Sequence, residues 1–122
     1  MEAFYAIAAC FDAANPSVYK AVVSGLKDKD PSVQAAACRA VAELEADWKW
    51  VKWRLRFLAR SKARGIQLDA IIALCVNWPE MVTNRRIREW LEENSGYWWA
   101  QALLDGKSAA LLFRKPKKAY GL

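Results

Sequence analysis

No histidine occurs among the 122 residues, so the side chain that most often moves protons near neutral pH is missing. An acid–base enzyme would then need paired carboxylates in a cleft. The acidic residues instead sit at expected helix caps or alternate with apolar positions, as on a solvated helix face. Cys10, Cys38 and Cys75 are odd in number, widely spaced and set among small or apolar neighbours, which predicts reduced core thiols and no disulfide framework. With neither histidine nor paired cysteines, a structural zinc site has no ligands to draw on. Cys75, near the Asn77-Trp78-Pro79 turn, is the one candidate nucleophile, and core packing explains it better. The five glycines fall mostly at expected element ends, and no Gly-rich phosphate loop is present. The expectation is a protein with no enzymatic activity and no cofactor. No apolar run approaches the roughly 20 residues of a membrane-spanning helix, and Glu2 stands where a secretion signal would carry Lys or Arg. These features predict an intracellular protein, whether cytoplasmic, nuclear or organellar, that is not secreted.

The net charge is +6, and its distribution says more than its sum. Residues 1–47 carry four basic and seven acidic groups, and residues 48–65 carry seven basic groups and no acid. Residues 66–96 then carry three basic and five acidic groups, and residues 97–122 five basic and one acidic. Two basic zones alternate with two mildly acidic ones. Such segregation points to a polyanion or an acidic protein surface as partner, with a solvated charged face as the plain alternative.

The first basic zone is the stretch DWKWVKWRLRFLARSKARG, Asp47 to Gly65. Turned at about 100° per residue, it predicts a helix with Lys49, Lys52, Arg56, Arg60 and Arg64 in one stripe. Trp48, Val51, Leu55 and Leu58 fall on the opposite, core-facing side. Trp50, Trp53 and Phe57 flank the basic stripe, so cationic and aromatic surface would be offered together. Trp48, Trp50, Trp53, Leu55 and Phe57 also alternate in part at period two, which leaves a strand as the rival. Asp47 is read as the cap of this helix and Gly65 as its stop.

Earlier in the chain, Phe4, Ile7, Ala8, Phe11 and Ala14 predict a short amphipathic helix. NPSVYKAVVSGL at Asn15 to Leu26 is echoed by DPSVQAAACRAV at Asp30 to Val41. Each copy has a cap, a proline suited to the first turn, and a small-residue-rich helix. With its lead-in from Gly25 to Leu44, the second copy resembles a HEAT repeat at the junction between consecutive repeats. The resemblance, carried by residues 15–44, implies close packing of short helices, with Ala35, Ala36, Ala37 and Ala40 at the contact.

After Gly65, Leu68, Ile71, Ile72 and Cys75 predict a compact helix ended by Asn77-Trp78-Pro79. A longer helix then turns Val82, Ile87, Trp90 and Leu91 inward, with Asn94-Ser95-Gly96 closing it. Tyr97–Leu104 and Ser108–Phe113 are two apolar runs joined by Asp105-Gly106-Lys107, and Asp-Gly is a strong hairpin signal. A helix from Trp98 to Leu104 is the alternative. Helix, turn, helix and hairpin over residues 66–116 resemble a winged helix. In that family the second helix enters the DNA major groove and the hairpin tip touches the backbone. The resemblance implicates Thr83, Asn84, Arg85, Arg86 and Arg88 on the helix, and Lys107 at the tip.

The expected fold is mainly α. Residues 1–65 form a small helical bundle or short helical repeat, and residues 66–122 a helix-turn-helix with a β-hairpin and basic tail, joined as one unit. The expected function is nucleic-acid binding, DNA before RNA, through Lys49, Lys52, Trp53, Arg56, Arg60, Arg64, Asn84, Arg85, Arg86, Arg88, Lys107, Lys115, Lys117 and Lys118. The run RKPKK at Arg114–Lys118 would be an arm along phosphates or a solubilising end. The alternative function is a helical adaptor, or a small subunit of a larger assembly.

Overall fold

A computed structural model describes residues 16–44 and 47–113. The helix expected before Asn15 and the basic run at 114–118 lie outside the described residues, as does Cys10. The described residues form seven α-helices and one 3-10 turn, with no strand among them. The mainly α expectation holds at this level, and the β-hairpin does not.

Local chemistry starts the first two helices. Pro16 opens α1 (Pro16–Lys27) and Pro31 opens α2 (Pro31–Glu43), at the one position where a missing N–H costs nothing. Asp30 caps α2, its carboxylate accepting from the Ser32 N–H at 2.9 Å. Only residues 28–30 join the two helices, which pack on one another. Ala36, Ala37 and Ala40 are fully buried on α2, so their short side chains let neighbouring backbones approach.

The chain breaks before α3 (Lys49–Leu58), as expected, but Asp47 does not cap it. The capping position is Trp48, with no side-chain bond. The Asp47 carboxylate instead accepts from the Trp78 indole N–H at 2.7 Å, tying the start of α3 to a distant turn. Val51, Leu55 and Leu58 are buried and Trp48 partly so, its ring edge-on to Tyr19 at 4.9 Å. The helical register of the sequence is therefore observed, and the strand alternative is excluded.

The helix is shorter than the stripe requires. It ends at Leu58, so Arg60 lies in the following turn and Arg64 opens the next helix. Gly65 takes no positive φ and sits in the first turn of α4 (Arg64–Asn77). In the turn that follows, the Ser61 hydroxyl accepts from the N–H of Ala63, the residue that precedes α4, at 3.1 Å. The Gln67 side chain donates to the freed Ala59 carbonyl at 3.2 Å.

Helix α4 is the centre of the molecule. Ile66, Ala70, Ile71, Ala73, Leu74, Cys75 and Val76 are all buried, the pattern of a helix covered on nearly every side. It packs against α2, α3, the 3-10 turn (Pro79–Thr83) and α7 (Ala109–Phe113). Polar ties fix the contacts. The Asn77 side-chain amide donates to the Val41 carbonyl at the end of α2 at 2.7 Å, and Arg39 of α2 meets Asp69 of α4 at 3.5 Å.

Asn84 caps α5 (Arg85–Glu93), its side-chain oxygen accepting from the Arg86 and Ile87 N–H groups. The two apolar runs read as a hairpin are α6 (Trp98–Leu104) and α7. Trp99, Ala100 and Leu103 are buried at helical spacing, and alanine favours helix over strand. Asp-Gly still makes the turn, in another role. Gly106, at φ 91°, is the one positive-φ residue among those described, and follows the last turn of α6. Its N–H donates to the Leu103 carbonyl and that of Lys107 to Ala102, which satisfies the free carbonyls of a helix end. Ser108 then accepts from the Leu111 N–H, starting α7. Trp99 joins these parts, stacked with Trp90 and Tyr97 at 5.9 and 5.6 Å and edge-on to Phe113 at 5.4 Å.

Candidate nucleic-acid interface

Helix α3 puts its two sides to different uses. With the aliphatic edge buried, Trp53 and Phe57 project outward and are 60% and 57% exposed. Arg54, on the same helix, is half-buried. Its Nε donates to the Leu26 carbonyl at the end of α1 at 3.3 Å, and its guanidinium covers the Phe57 ring at 4.9 Å. Trp50 continues the aromatic edge, 6.4 Å from Trp53 and tilted by 49°, with the Lys27 ammonium 5.4 Å from its ring.

Across from this edge stands α5. The 3-10 turn brings Asn84, Arg85, Arg86, Glu89, Trp90 and Glu93 opposite Trp53, Arg56, Phe57 and Arg60, and an open groove of about 780 Å³ runs between them. Met81, Ile87 and Ile71 line it at depth, with Ala59 and Gln67 beside them. Two basic segments some thirty residues apart thus share one cleft.

The other candidate residues are placed elsewhere. Lys52 pairs with Glu80 at 3.0 Å and lies over the Trp78 ring. The Glu80 backbone N–H and then Lys52 hold that carboxyl below its ordinary range. Arg64 donates to the Tyr97 hydroxyl at 3.1 Å and stacks on its ring. Arg88 pairs with Glu92 within α5, and Arg85 with Glu89 on the groove wall. Asn84 is committed to its cap, and Thr83 bonds the Glu80 carbonyl. Lys107 lies in the helix-ending turn after α6, where a wing tip was expected, and Lys49 is exposed on α3 outside the groove lining. Lys115, Lys117 and Lys118 lie outside the described residues. Arg56, Arg60 and Arg86 are exposed, and among the described residues their guanidinium groups meet no carboxylate.

The sequence reading missed two contributors. Trp90, expected on the buried side of its helix, is half-buried and lines the groove. Arg54 is not in the basic stripe; its bond to α1 and its cover of Phe57 depend on tertiary packing.

Cys38 and Cys75 are the cysteines among the described residues. Burial, then the nearby Asp69 charge, pushes the Cys38 thiol up to about 12, and burial alone does the same for Cys75. Both are free and buried. Burial also raises the Asp69 carboxyl, against the pull of Arg39.

Compared with protein-family models, curated proteins and solved structures, the chain matches none of them.

Proposed function

We propose that this chain is a non-enzymatic nucleic-acid-binding module whose ligand lies along the groove between α3 and α5. One observation carries the reading: Trp53 and Phe57 are more than half exposed, between the guanidinium groups of Arg56, Arg60, Arg85 and Arg86. Large aromatic rings left in water are costly unless something covers them. Arginines beside them attract phosphate, while the rings suit the faces of bases. Glu89 and Glu93 on one wall temper the charge, so phosphates would follow the Arg56–Arg60 side.

A titration of the intrinsic fluorescence with DNA or RNA tests this. Three phosphate contacts, at Arg56, Arg60 and Arg86, give a slope of log affinity against log salt of about −2 to −3, a loss of roughly 20- to 40-fold between about 50 and 200 mM salt. Trp53 and Trp90 supply the signal. Absence of binding, or binding indifferent to salt, contradicts the reading.

A second reading, as an adaptor for a protein partner, is favoured by a different surface. Trp98 on α6 and Leu111 on α7 are 67% and 87% exposed, and tryptophan is a common interface anchor. A protein that ignores nucleic acid but retains a partner chain on purification would support it.

A further inference from the structure

The groove's geometry also bears on the form of nucleic acid it accepts. We infer that the ligand is an unpaired strand, with its bases splayed one at a time onto the ring faces of α3; this rests on the nucleic-acid reading above.

The spacing of the rings decides between strand and duplex. Trp50 is half-buried and outside the groove lining, so the α3 rings open to bases are Trp53 and Phe57. Phe57 is one helical turn beyond Trp53, about 6 Å along the axis at 1.5 Å per residue. Bases in a duplex advance about 3.4 Å along each strand and lie nearly parallel. The two rings thus stand at nearly twice the duplex rise, and only a strand free of its complement can follow them.

Arg54 covers one face of Phe57, and the ring is still 57% exposed. Stacking is tolerant of base identity, so the edge selects strandedness more than sequence.

The opposite wall is poorly suited to a duplex. A helix entering a major groove reads base edges with free polar side chains. On α5, Arg85 and Arg88 are tied to Glu89 and Glu92, Asn84 is consumed by the cap, and Glu93 adds exposed negative charge. With α6 and α7 in place of a hairpin, no wing is present among the described residues to hold the duplex backbone.

The test uses the full chain with three labelled probes: an oligo(dT) of about 12 nucleotides, an oligo(U) of the same length and a duplex of similar length, read by anisotropy. The expected result is that at least one single strand binds ten-fold or more tighter than the duplex. Trp53→Ala with Phe57→Ala should weaken the single strand by roughly 5- to 140-fold for each ring lost and leave duplex affinity unchanged. Both side chains are exposed, so far-UV circular dichroism should not change, and Trp53→Tyr with Phe57→Tyr should restore most of the affinity. Equal or tighter binding of the duplex, or a double alanine variant that keeps full affinity for the single strand, overturns the inference while the nucleic-acid reading stands. Binding of none of the three overturns both.

Discussion

Arg56→Glu combined with Arg60→Glu is expected to abolish the proposed nucleic-acid binding and to leave the helical signal of the protein intact. Both guanidinium groups line the groove without a carboxylate partner among the described residues, so their charge is available to phosphate. A hydrogen bond to a charged group contributes about 1.5–3 kcal/mol. Loss of two contacts costs about 3–6 kcal/mol, a factor of roughly 10²–10⁴ in affinity, before repulsion by the introduced carboxylates is added. Stability is little affected. Arg56 sits in the last turn of α3, where exchanging a cation for an anion opposes the helix dipole by about 0.3–1 kcal/mol. That is small beside the roughly 5–15 kcal/mol of a folded domain. Lys49→Glu with Lys107→Glu makes the same change in net charge outside the groove lining, and is the control. If the control weakens binding equally, net charge rather than the groove is responsible. Electrophoretic mobility shift at fixed salt measures both.

Leu74→Ala is expected to destabilise the fold by about 2–5 kcal/mol, which lowers the urea midpoint by roughly 1–3 M for a slope near 1.5 kcal/mol/M. Leu74 has no exposed surface and lies on α4, which packs against α2, α3 and α7. Removing its branched end leaves a cavity that several neighbours would have to move together to fill. Leu111→Ala is the comparison. That residue is 87% exposed, and its loss should stay within about 0.5 kcal/mol. An unchanged midpoint for Leu74→Ala would mean that α4 is not the central support.

The features legible in the sequence are those set by short-range chemistry. Asp30-Pro31-Ser32 starts a helix because a carboxylate and a fixed φ suffice for it. The aliphatic edge Val51-Leu55-Leu58 follows from helical period alone, and it left Trp53 and Phe57 outward. Where two local solutions share one signal, the reading failed. Asp105-Gly106 supplies positive φ to a hairpin turn or to a helix end, and the alanines of α6 decided for the helix. Gly65 carries the usual stop signal, yet α3 ends at Leu58 and Gly65 lies in the first turn of α4. Tertiary packing supplied what no local pattern contains. It set α5 across from α3, put Trp90 on the groove lining, and drew Lys52 away to Glu80. It also made α4 the centre, which a single apolar face did not disclose.

The most direct measurement follows the indole N–H resonances of the isotopically labelled protein as an oligonucleotide is added. Signals from Trp53 and Trp90, which border the groove, are predicted to move together, and that of Trp98, exposed on α6, to stay in place. Movement of Trp98 with Trp53 and Trp90 unchanged, or no movement of any indole, would contradict a binding site between α3 and α5.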